Sequence, residues 1–96
     1  MIDELLTPRE LRNEWRVMQH CVAEYISECA RGITTIWSMK CHQGTHKRRT
    51  LTIEVAPQAK VILQASGKQN CTPSVEVSEI LKRWAKREGL QYETMA

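Results

Sequence analysis

Apolar positions along the 96-residue chain repeat in two ways, and the two periods predict the elements. Leu11, Trp15, Met18, Val22, Tyr25, Ile26 and Cys29 recur at helical spacing and form one stripe. Arg9, Arg12, Arg16, Glu24 and Glu28 fall mostly on the other side. The start is marked by Thr7-Pro8-Arg9-Glu10: Thr7 can accept from a backbone N–H, Pro8 suits the first helical position, and Glu10 completes a capping box. Gly32, which follows Arg31, can take the left-handed conformation that ends a helix.

The pattern then changes to a period of two. Ile33 to Met39 is rich in β-branched and aromatic residues and predicts a strand. Cys41 to Arg49 is polar, holds Gly44 and has no apolar period, so it predicts a loop. In Thr50 to Val55, the residues Leu51, Ile53 and Val55 face one way and Thr50, Thr52 and Glu54 the other. Lys60 to Ala65 alternates as well, with Val61, Leu63 and Ala65 on one face. Aligning the two apolar rows pairs Val55 with Val61, Ile53 with Leu63 and Leu51 with Ala65 across a hairpin at Pro57. After a second loop, Ser66 to Thr72, a helix opens at Pro73 or Ser74. It buries Val77, Ile80, Leu81 and Trp84 and stops at Gly89-Leu90.

The expected architecture is α+β: a three-stranded antiparallel sheet packed with an N-terminal and a C-terminal helix, in the order α-β-β-β-α. It forms a single domain over residues 1–96, with its core in 8–90. A chain of this length holds one core and leaves little volume for a deep cavity, so a site should be a shallow groove or an interface. Composition agrees with a globular domain, with 42% apolar and 26% charged residues. Phe is absent, so Trp15, Trp37 and Trp84 are the expected core anchors. No apolar run is long enough to span a membrane, and the acidic start Met-Ile-Asp-Glu is unlike a signal peptide. A cytoplasmic location follows, with Cys21, Cys29, Cys41 and Cys71 as free thiols.

The string Met18-Gln19-His20-Cys21-Val22-Ala23-Glu24-Tyr25 resembles the Met-x-His-Cys-Val-x-x-Tyr signature of the PcfJ-like family. Further blocks follow in order: Gly32, Ile36-Trp37-Ser38, Thr50 to Glu54, Gln64-Ala65-x-Gly67-Lys68-x-Asn70-x-x-Pro73, Leu81-x-x-Trp84 and Gly89-Leu90. The resemblance implies a domain carried by conjugative plasmids, integrated elements or phages, and it brings no established activity. The family often has glycine where this chain has Trp15, which implies a first helix broken near residues 15–19. In an unbroken helix His20 lies about 180° from Leu11, away from the apolar stripe. After a break, His20 and Cys21 would start a new helix, whose positive end favours a thiolate.

Three clusters carry candidate chemistry. His20, Cys21 and Tyr25, with Gln64, Gly67, Lys68 and Asn70, form an expected polar cluster, in which the N–H groups around Gly67 together with Lys68 suit a phosphate. Cys21 could also be the nucleophile of a cysteine-dependent enzyme, with His20, Tyr25 and Asn70 nearby. Neighbours on a helix diverge by about 100°, however, so His20 is badly placed to act as base for Cys21. Cys41-His42-x-x-x-His46 lacks the second close cysteine pair of a zinc finger, so neither a metal nor a cofactor is expected.

The third cluster is basic: Lys47, Arg48, Arg49 and Lys68, with Lys82, Arg83, Lys86 and Arg87 on the last helix. Net charge is +3 and the pI near 8.8, which permits phosphate contacts without demanding them. No base-reading motif is present, so any nucleic-acid binding should tolerate sequence. The leading expectation is a non-enzymatic accessory module that binds nucleic acid or a protein partner through its basic loops. A protein adaptor or homodimer with no nucleic-acid role is the blander alternative.

Overall fold

The computed structural model describes residues 2–18, 32, 34–43, 46–68 and 74–92, with backbone only at 42, 43, 46 and 47. The class is α+β, with four strands rather than three: β1 (Ile2–Glu4), α1 (Pro8–Met18), β2 (Thr35–Gln43), β3 (His46–Ala56), β4 (Val61–Ser66) and α2 (Val75–Glu88). The sheet is antiparallel, in the order β1-β2-β3-β4. The unexpected strand is β1, whose three residues are too short to show a period. It pairs with Trp37 to Met39, and Leu5 N–H extends the pairing to the Ile36 carbonyl at 2.8 Å.

α1 begins as its sequence requires. Thr7 Oγ1 accepts from Glu10 N–H at 3.1 Å, and its hydroxyl donates to the Glu10 carboxylate at 3.1 Å. The helix is uninterrupted from Pro8 through Met18. Its expected continuation to Arg31 lies outside the described residues, and Gly32 has the expected positive φ of 74°. α2 is capped by Ser74, whose side chain accepts from Val77 N–H at 3.3 Å. At the other end Gly89 adopts φ 72°, and Leu90 N–H returns to the Ala85 carbonyl at 2.8 Å.

The two helices cover opposite faces of the sheet. Leu51, Ile53 and Val55 pack with Met39, Ile62, Leu81, Trp84 and Ala85 on the α2 side. Burying side chains of this kind stabilises the fold by about 1.5–3 kcal/mol each. Trp37 joins them, edge-on to Trp84 with ring centroids 5.2 Å apart. The alternate residues face α1, where Leu5, Leu11, Trp15 and Ile36 form a smaller cluster. All three tryptophans are therefore core anchors, as their positions on regular elements suggested.

A bulge corrects the expected register. In the β3–β4 hairpin, Val55 pairs with Ile62 and Glu54 with Gln64, which leaves Leu63 as an extra residue. The partners are thus Ala56–Val61 and Ile53–Ala65, not Val55–Val61, Ile53–Leu63 and Leu51–Ala65. Ile62 is buried and Leu63 is 55% exposed, because the bulge transfers the inward position from one to the other. Ile80, expected in the buried stripe of α2, is also exposed.

The expected loop at 41–49 is a second correction. β2 runs on to Gln43 and β3 starts at His46, so most of the polar stretch is paired strand. At the two edges of the sheet, β1 is short and Gln91 covers the start of β4. β1 carries Asp3 and Glu4, and Gln91 bonds to Lys60 and Ile62 along the outer side of β4.

Candidate functional site

Lys40, Cys41, His42 and Gln43 pair with Arg49, Arg48, Lys47 and His46, respectively. β1 reaches only as far as Met39 along β2, and β4 only as far as Thr52 along β3. Among the described residues, these four ladder pairs therefore form a two-stranded ribbon that outruns both edge strands. No acidic residue occurs between Glu28 and Glu54, while the ribbon holds Lys40, Lys47, Arg48 and Arg49. Arg48 is exposed. β4 runs towards the base of this ribbon, and exposed Lys68 follows its last residue by two positions.

A bulge sets the base of the ribbon. Met39 pairs with Leu51 and Lys40 with Arg49, so Thr50 is the extra residue on β3. Its hydroxyl donates to the Arg48 carbonyl at 3.3 Å. Strict alternation from Leu51 would aim Arg49 into the apolar core under α2. The bulge turns it to the other face instead.

On that face stands a carboxylate the sequence reading passed over. Glu14 of α1 is completely buried. Its Oε1 accepts from Ser38 Oγ at 2.8 Å, and its Oε2 accepts from Thr52 Oγ1 at 2.6 Å. Arg49 Nε lies 3.0 Å from Oε1 with its side chain 29% exposed. That N–H is not aimed along the line to the oxygen, so the contact is an ion pair rather than a directed hydrogen bond. Two hydroxyl donors and one guanidinium cation, from two strands, thus hold one carboxylate from the helix, as burial of a charge demands. Glu14 is on α1 and its three partners are on β2 and β3, so the arrangement clamps the helix to the sheet. A signal for it exists in the sequence: Glu14 is an acidic residue three after Leu11 and four before Met18, inside the apolar stripe.

The expected polar cluster is only partly described. Gln64 is exposed and its Nε2 donates to Ser66 Oγ at 3.0 Å. Gly67 is buried and Lys68 is exposed. His20, Cys21, Tyr25 and Asn70 lie outside the described residues, so their convergence with Gln64 and the cysteine-dependent reading lie there too. Glu54 accepts from the Thr34 hydroxyl at 3.1 Å. Among the described residues, no group of three or more His, Cys, Asp and Glu side chains is placed to hold a metal ion.

The basic residues of α2 are disposed differently from the ribbon. Lys82, Arg83, Lys86 and Arg87 are all exposed. Gln91, just past the helix, is tied to Lys60 and Ile62 beside the hairpin turn. That turn is at the end of the sheet remote from the Gln43–His46 pair, so the last turn of α2 lies towards the far end from the ribbon tip.

The family model described as PcfJ-like protein matches residues 1–81, which covers β1, α1, the whole sheet and the first half of α2. No curated protein and no solved structure matches the chain significantly. Among the described residues, no helix is long and apolar enough to cross a membrane.

Proposed function

The chain belongs to the PcfJ-like protein family, and on that premise we propose that it is a non-enzymatic accessory module that binds nucleic acid through its β2–β3 ribbon. The observation that carries this reading is the ribbon itself: paired strands projecting past both edges, with four basic residues and no acidic one. Such an arm concentrates positive charge, and among the described residues no neighbouring strand restricts the approach of a polyanion. Lys68 adds a charge beside its base, and Lys82, Arg83, Lys86 and Arg87 extend the positive field over the other half of the molecule. The bound Arg49 is not counted as a contact, because Glu14 already holds it. In the mobile-element setting implied by the family resemblance, such a module would tether or orient a nucleic acid rather than transform it.

The salt dependence of binding tests the proposal. With Lys47, Arg48 and Lys68 as phosphate contacts, log K should fall against log salt with a slope of about −2.7. That corresponds to a loss of roughly 40-fold between about 50 and 200 mM salt. Arg48→Ala should weaken binding and reduce the slope by about 0.9 while leaving the circular dichroism unchanged. A chain that retains no DNA or RNA at about 50 mM salt would end the nucleic-acid reading.

A further inference from the structure

We infer that the outer face of α1 is a second contact surface, which takes the phosphodiester backbone of a nucleic acid through a row of arginines. The inference rests on the nucleic-acid reading above, though not on the ribbon as the point of contact. Arg9, Arg12 and Arg16 are all exposed. At about 100° per residue they fall within about 60° of one another around the helix, opposite buried Leu11, Glu14 and Met18. At about 1.5 Å per residue the row is about 10 Å long.

The fold leaves these three charges uncompensated. Among the described residues, no carboxylate forms an ion pair with any of them. Arg16 donates from Nη2 to Asn13 Oδ1 at 3.3 Å, a neutral acceptor that steadies the side chain without cancelling its charge. Glu10 is the one exposed acid of α1 and is engaged with Thr7, while Glu14 is buried against Arg49. Like charges three and four residues apart repel on a helix, and Arg9 stands in the first turn, at the positive end of the helix dipole. α2 is arranged the opposite way: Glu76 is in its first turn, Lys86 and Arg87 are in its last, and Glu79 pairs with Lys82 at 3.7 Å. The charges of α2 suit their own helix, whereas those of α1 oppose theirs and are left for an external anion.

Placement joins the row to the ribbon. Leu5 leads into α1 from beside Ile36, and Glu14 reaches Ser38, Thr52 and Arg49, so the helix advances along β2 towards the ribbon base. Arg16, two residues beyond Glu14, stands at the ribbon end of the row. Arg49 and its strand partner Lys40 lie on the same face of the sheet as α1. A guanidinium presents a rigid fork that matches a phosphate, and three in a row follow a backbone without reading bases. An anionic bilayer suits the row less well, because Leu11 and Trp15 are buried and α1 has no free apolar side to insert.

Fluorescence anisotropy of the full chain tests the inference with one sequence of about 20 nucleotides as duplex DNA, single-stranded DNA and RNA, over a salt series starting at about 50 mM. On whichever of these binds, Arg12→Ala/Arg16→Ala should weaken binding by ~10-fold or more. The salt slope should fall by about 1.8 on a duplex or about 1.4 on a single strand. Both side chains are exposed and alanine favours helix, so circular dichroism and the urea midpoint should not change. Arg83→Ala/Arg87→Ala removes the same two charges from α2 and should weaken binding by less than ~3-fold. Equal losses from the two pairs would show a response to net charge alone and overturn the inference. Unaltered affinity in Arg12→Ala/Arg16→Ala would also overturn it, and a loss in Arg48→Ala would then leave the ribbon reading standing. Binding of phosphatidylserine–phosphatidylcholine vesicles but of no nucleic acid would overturn both, as would no binding of any probe.

Discussion

Replacing Arg49 by Met removes the counter-charge of a completely buried carboxylate, and the structure sets the scale of the loss. Breaking a fully buried pair by deleting one partner costs about 3–5 kcal/mol. Arg49 is 29% exposed, so water screens part of the interaction, and Glu14 keeps the Ser38 and Thr52 hydroxyl bonds. The expected cost is therefore about 2–3 kcal/mol. Glu14→Gln keeps the shape and one acceptor oxygen, but it turns an amide N–H2 towards a hydroxyl and leaves Arg49 unpaired, again about 2–3 kcal/mol. The double substitution should be less destabilised than the sum, with a coupling energy of about 1–2 kcal/mol. Urea unfolding followed by tryptophan fluorescence measures all three, with the slope unchanged if only native-state interactions are lost. A melting-temperature drop on the order of 10–20 °C should accompany each single substitution. If Arg49→Met costs under about 0.5 kcal/mol, or the coupling lies within about 0.3 kcal/mol of zero, the clamp does not hold α1 to the sheet.

The bulge in β4 predicts opposite outcomes for adjacent residues. Leu63→Ser should change stability by less than about 0.5 kcal/mol and Ile62→Ala should cost about 2–4 kcal/mol in a urea titration, and the reverse order would restore the unbulged register. Gly89→Ala should cost about 1 kcal/mol by thermal unfolding, since φ is 72° and nothing lies within 4 Å of an added Cβ, so only backbone conformation is charged. Thr7→Ala should cost about 1 kcal/mol and slow no binding event, as judged by urea midpoint and anisotropy; a neutral result would show that the first turn of α1 is held from elsewhere.

Caps and termini were legible in the residues because they depend on neighbours only a few positions away. Thr7 and Glu10 at the start of α1, Ser74 at the start of α2, and Gly89-Leu90 at its end all act within one helical turn. The apolar row Leu51, Ile53 and Val55 was equally clear, since a period of two identifies one face of a strand without reference to its partner. The matching row on β4 was misread at Leu63. Perfect alternation there favoured the wrong face, and only pairing with β3 across a bulge revealed Ile62 as the buried residue.

The candidate sites divided in the same way. The basic residues at 47–49 could be picked out by charge, but their polarity made the segment look like a loop. Cross-strand pairing turned it into a ribbon, and pairing is a property of two segments, not one. Glu14 escaped because a polar row such as Thr50, Thr52 and Glu54 looks the same whether it faces water or a helix bearing a complementary charge. The residues His20, Cys21, Tyr25 and Asn70, which the family resemblance singles out, lie outside the described part of the chain.

By itself, then, the chain's order of residues determined which segments are helical at Pro8–Met18 and Val75–Glu88, where each starts, and which strand face is apolar. The tertiary structure alone decided that β1 joins the sheet, that bulges at Thr50 and Leu63 re-aim the side chains around them, and that Glu14 meets Arg49, Ser38 and Thr52. The reason is range. Helix propensity, capping and alternation act between near neighbours, whereas register and the pairing of a buried charge are settled only when distant segments compete for the same partners.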